Sequence, residues 1–146
     1  MTGEGCACEK KMEILLACVV VVAAVAAMTV GICARYVLHY PAVGGDFEIS
    51  FIRAGETLED ITEQIDQDTL DAIKGLVLGA GKRGYRVGCS PWLSESSVEI
   101  NGRDSEGLWH IYLDEDTAVI YDGDRRYPLI NGEELLEQLW ALLPEQ

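Results

Sequence analysis

The sequence predicts an α+β fold: one N-terminal transmembrane helix, then a small antiparallel sheet of about four to five strands packed with two helices. Three observations predict it. The 21 residues Ile14–Ala34 carry no charge. Beyond residue 45, apolar residues recur with period two in short runs separated by Asp- and Gly-containing turns. Leu135 to Leu143 carries an apolar stripe at helical spacing. Strands grouped in a meander, with a helix before and after it, suit an antiparallel sheet rather than a βαβ array. The implied divisions are a short tail at 1–13, the transmembrane helix at 14–37, a linker at 38–45 and an acidic soluble domain at 46–146.

The uncharged run is the clearest element. At about 1.5 Å per residue, 21 helical residues match the roughly 30 Å hydrocarbon core of a bilayer. A helix apolar on every side belongs in lipid or deep inside a large protein, and this chain is too small to wrap one. Other addresses fit less well. A cleaved signal's apolar region runs about 7–15 residues and is shorter than this one. Leu15-Leu16-Ala17-Cys18 resembles a lipobox, but a lipobox follows its hydrophobic stretch and this one precedes it. Thr2 stands where myristoylation needs glycine. Lys10 and Lys11 before the helix, against Arg35 at its end, favour a cytoplasmic N-terminus with 46–146 outside. Ala23, Ala27 and Gly31 are spaced i, i+4, i+8, a pattern that lets two helices approach closely in lipid and predicts self-association as a homodimer.

In the remainder, Pro41, Gly44 and Gly45 read as the linker. Phe47, Ile49 and Phe51 alternate with Glu48 and Ser50 as a strand. Thr57 with Asp60, and Asp68 with Asp71, resemble capping boxes. Leu58, Ile61, Ile65, Leu70, Ile73 and Val77 then predict a helix, interrupted near Asp66–Asp68 and ending near Gly79. Val98–Ile100, Leu108–Leu113, Thr117–Tyr121 and Arg126–Leu129 follow as strands, with Asp122-Gly123 as a hairpin signal. Pro128 predicts an edge strand or strand end, since proline donates no ladder hydrogen bond. The last helix starts with Asn131 as N-cap and Glu134 at its third position, and stops at Pro144.

Charge excludes one class of partner. The chain has 11 Lys+Arg and 25 Asp+Glu, a net −14. Lys10, Lys11 and Arg35 balance Glu4, Glu9 and Glu13, so the whole excess lies after residue 37. Nucleic acid needs a basic footprint and is not an expected partner.

Few motifs carry chemistry. Gly79-x-Gly81-x-x-Gly84 follows a helix instead of opening one, which is the wrong context for a dinucleotide loop. Gly81-Lys82 is no P-loop, because Leu76 and Arg83 stand where glycine and Ser/Thr are required. Cys6 and Cys8 have no nearby histidine to complete a zinc site, and S-acylation is their alternative use. Cys89 is the soluble domain's single thiol. With His110 as base it would form a thiol enzyme, but Cys89-Ser90-Pro91 also reads as a packed loop. Asp114-Glu115-Asp116 and Asp122-Gly123-Asp124 lack the ligand order of a calcium loop and suit turns. Trp92 with Leu93 is the candidate exposed contact for a protein partner.

The sequence therefore predicts no catalytic, cofactor or metal residues. It leads to a membrane-anchored, non-enzymatic interaction or sensory domain. The alternatives are a small hydrolase or thiol enzyme using Cys89, and an acidic inhibitor or immunity-type protein that meets a basic partner.

Overall fold

A computed structural model describes residues 4–88 and 93–144. Two compact units divide the chain at Val37 and Leu38. The first is helix α1, Glu4–Val37. Within it, the 26 residues Met12–Val37 are long and apolar enough to cross a membrane.

The second unit is α+β. Its strands are β1 (His39–Pro41), β2 (Phe47–Ala54), β3 (Glu59–Asp60), β4 (Gly81–Arg83), β5 (Val98–Asp104), β6 (Leu108–Leu113), β7 (Ala118–Asp122) and β8 (Arg125–Ile130). Its helices are α2 (Gln67–Gly79) and α3 (Gly132–Trp140). All pairings are antiparallel, in the order β1-β4-β8-β7-β6-β5-β2-β3.

Among the described residues the sheet thus has eight strands, not four to five. The additional ones, β1, β3 and β4, are two or three residues long. A piece that short shows no alternation, and backbone pairing alone defines it. β1 and the buried Ala42 and Val43 occupy the stretch expected as a linker. β4 lies in the glycine string that resembled a nucleotide loop.

The register builds the core. Ile52, Ile100, Ile111 and Ile120 stand directly opposite one another across β2, β5, β6 and β7, and none exposes any surface. A β-bulge between Ile49 and Phe51 lets β2 keep Phe47 and Ile49 against the core before it and Ile52 and Ala54 after it. Ile73 and Val77 from α2 join the same cluster, as do Leu135, Leu136 and Leu139 from α3. At about 1.5–3 kcal/mol per buried aliphatic side chain, this layer is the main source of stability.

Local chemistry moved some helix ends. The expected helix from Thr57 begins instead as β3, then a 3₁₀ turn, Thr62–Gln64. Thr62 prevents the continuous helix: its hydroxyl accepts from Ile52 N at 2.8 Å and donates to Asp60 at 2.6 Å, tying the turn to β2. α2 is capped by Asp66, which accepts from Thr69 N at 2.8 Å. Asn131 does not cap α3 with its side chain; it takes φ 56°, a left-handed conformation asparagine tolerates. Gly123, at φ 58°, supplies the tight turn between β7 and β8. Pro128 is not on an edge strand, because β4 lies outside β8; β4 reaches only Leu129 and Ile130, so Pro128 sits beside the end of that pairing.

The core draws only on residues 42–143, so residues 38–146 expressed without α1 should melt cooperatively. Cutting further, to 46–146, removes β1, Ala42, Val43 and the bond from Ala42 N to Ala80 O. This should cost roughly 2–4 kcal/mol by urea unfolding. Equal stability of the two fragments would show that the β1 segment is not part of the core. Within the longer fragment, Leu139→Ala should cost about 2–5 kcal/mol. Glu137→Ala, on the exposed side of α3, should stay near 0.5 kcal/mol.

Candidate functional site

Cys89 and Trp92 lie outside the described residues. Leu93, expected beside Trp92 as a contact, is 54% exposed. Ala23, Ala27 and Gly31 fall along α1 at the predicted spacing, each exposed. His110 sits in mid-strand, as its sequence context implied.

His110 belongs to the sheet face opposite the helices. There the register aligns Phe51, Asn101, His110, Tyr121 and Arg126 across five strands. The His110 and Tyr121 rings stack with centroids 4.1 Å apart, and Arg126 stands 5.1 Å over Tyr121. Glu99, in the neighbouring row, is 3.9 Å from His110 and 3.6 Å from Arg53, and accepts from Asn101 at 2.8 Å. Burial pushes the His110 pKa down, and the Glu99 carboxylate only partly opposes this. Nearby, Tyr112 shares hydrogen bonds with Ser97 and Asp114, and burial raises its pKa. These groups are engaged with one another and form a satisfied polar layer.

A different site lies on the helix-covered side, where the register places Gly102, Trp109 and Asp122 side by side. Trp109 packs its ring on Gly102, where any Cβ would collide with that ring and with the Glu48 carbonyl. Phe47 meets the same ring edge-on at 5.6 Å. Trp109 is only 5% exposed, yet its Nε1 has no hydrogen-bond partner among the described residues. Leaving such a donor unmatched costs about 1–3 kcal/mol.

Trp109 lines a cavity of about 490 Å³, walled also by Val43, Leu78, Lys82, Leu108 and Asp122. Asp104 also lines it. It accepts from Gly44 N at 2.9 Å, Glu106 N at 2.8 Å and Gly107 N at 3.2 Å, joining the chain after β1 to the β5–β6 hairpin. Burial would raise the Asp104 pKa, but these three donors and the Lys82 charge hold it below the ordinary carboxylate value. Lys82 Nζ lies 3.6 Å from Asp122 and 5.2 Å from the Tyr127 ring centre. Two larger clefts, of about 640 and 610 Å³, present no buried side-chain polar atom without a partner among the described residues.

The sequence reading missed this site. Lys82 appeared there only beside a rejected P-loop, and Asp122 only in a hairpin turn and a rejected calcium run. One signal was present: Asp122 follows Ile120 by two, so strand alternation puts a carboxylate on the core side. The chain matches no known family model, no curated protein and no solved structure.

His110 makes pH a probe of the outer face. Because folding lowers its pKa, the unfolded chain takes up the proton first as pH falls below the ordinary value of 6.5. Its contribution to stability is complete above that value and declines as pH drops through it towards the lower folded value. In urea unfolding of the 38–146 fragment at about pH 7.5 and about pH 5.5, wild type should lose more stability than His110→Gln. Equal losses would show that the imidazole is not desolvated.

Proposed function

We propose that the protein is a single-pass membrane protein whose α1 anchors an extracytoplasmic, non-enzymatic sensory domain. The observation that carries the anchor is the state of Met12–Val37. Between Glu13 and Arg35 this helix is apolar on every side, and none of its apolar window is buried. The second unit closes its core without any residue of α1. A helix of this length and apolarity is stable in lipid. Lys10 and Lys11 against Arg35 support a cytoplasmic N-terminus.

The sensory reading draws on the Trp109 cavity. It combines an apolar wall with a few converging polar groups, the usual composition of a ligand pocket, and its size is within the common range of about 300–1,000 Å³. Trp109 on β6 and Asp122 on β7 stand on neighbouring paired strands beneath it. His110, the base that a Cys89 enzyme would need, is instead stacked on Tyr121 and set against Glu99.

Topology can be tested by placing one cysteine in the 41–45 segment of a variant whose native cysteines are replaced. In intact cells it should react with a membrane-impermeant maleimide, and the chain should resist alkaline carbonate extraction. Reaction only after permeabilisation would reverse the orientation. Release by carbonate would overturn the anchor.

A further inference from the structure

The exposed apolar side chains of the second unit are unevenly placed. Among its described residues the large ones are Leu38, Tyr40, Leu78, Leu93 and Leu108. Tyr40, Leu78 and Leu108, exposed by 41%, 53% and 75%, line the same cavity as Trp109. Leu78 borders both larger clefts as well. Two hydrogen bonds gather these side chains around the start of the unit. Ala42 N donates to Ala80 O at 3.0 Å, which holds the chain after Tyr40 just past the end of α2, two residues beyond Leu78. Gly44 N donates to the Asp104 carboxylate at 2.9 Å, which ties the same segment to the β5–β6 hairpin, where Leu108 opens β6. Leu93 lies elsewhere. Its neighbour Ser94 accepts the Ser97 turn just before β5 begins, with Ser94 N donating to Ser97 Oγ at 2.8 Å, whereas Asp104 ends that strand roughly 20 Å further along.

We propose that this patch docks the domain on the lipid surface, with Tyr40, Leu78 and Leu108 in the headgroup layer. The proposal rests on the anchor reading above, and the length of chain selects lipid as the occupant. α1 ends at Val37, so Tyr40 follows it by three residues, a reach of at most about 11 Å. With Met12–Val37 in a bilayer, that reach keeps Tyr40 near the headgroups however the domain is turned. Leu78 and Leu108 border the same cavity as Tyr40 and come with it. A tyrosine ring is favoured at that depth, and clustered exposed apolar side chains mark a surface that meets lipid or protein. The contact is apolar and not ionic, because Asp104, Glu106 and Asp122 outnumber Lys82 around the cavity. A neutral phosphatidylcholine surface therefore suits the patch better than an anionic one, which would repel those carboxylates.

The test places the full chain, with ¹³C-methyl-labelled leucines, in phosphatidylcholine nanodiscs. The methyl resonances are assigned with Leu78→Ile, Leu93→Ile and Leu108→Ile. Two paramagnetic probes are then compared: a phosphatidylcholine with a nitroxide just beneath its headgroup, and a water-soluble gadolinium chelate. The lipid probe should erase the Leu78 and Leu108 signals and spare Leu93, and the gadolinium chelate should do the reverse. Loss of Leu78 and Leu108 to gadolinium alone would put the patch in water and overturn the proposal. Survival of both signals with either probe would show that protein covers the patch, a second copy of the chain included, and would overturn it equally. Leu15 and Leu16 in α1 report on the anchor in the same spectra. Their loss to the lipid probe upholds the anchor whatever the patch does, so docking can fail alone. Their survival would overturn the anchor, and docking with it.

Discussion

The row Ile52–Ile100–Ile111–Ile120 is the constraint on which the rest of this domain depends. Side chains alternate along a strand, so slipping the pairing by one residue would exchange the two faces. Glu99, Asn101, His110 and Tyr121 would then lie under the helices. The cost of burying that polar set fixes the register. Once it is fixed, α2 and α3 have a single apolar surface to cover, and the opposite face assembles its ionic and aromatic layer without further instruction.

The same register creates the cavity. The inner row next to the isoleucines begins with Gly102, Trp109 and Asp122. Gly102 leaves room for the indole, which a Cβ there would displace. Asp104 ties that segment in place through Gly44, while β4 brings Lys82 towards Asp122. A charged pair on a core-facing row would be costly if fully buried. Here Asp122 remains close to half exposed, so solvent carries part of that cost.

Elements with a long repeating pattern were legible in the sequence. Val98–Ile100 and Leu108–Leu113 alternate cleanly, and Leu135, Leu136 and Leu139 mark the buried side of α3. The break near Asp66 was also visible, although the cap proved to be Asp66 and not Asp68. What escaped was defined by partners distant along the chain. β1 pairs with β4, some forty residues later, and no local pattern announces such a pairing. Thr62 ends the expected helix through Ile52, ten residues earlier. The unsatisfied Trp109 N–H is a property of packing, and tryptophan in a strand looks the same in sequence whether its donor is matched or not.

The most direct test of the central claim is native-state amide hydrogen exchange on the full chain. If the isoleucine row holds the domain together, the amides of β5, β6 and β7 around Ile100, Ile111 and Ile120 should exchange slowest. They should also share one opening free energy, that of global unfolding. β1, β3 and β4 should open earlier, as short outer elements. Slowest exchange in α2 or in the β1–β4 pair, with the central strands opening first, would contradict the account.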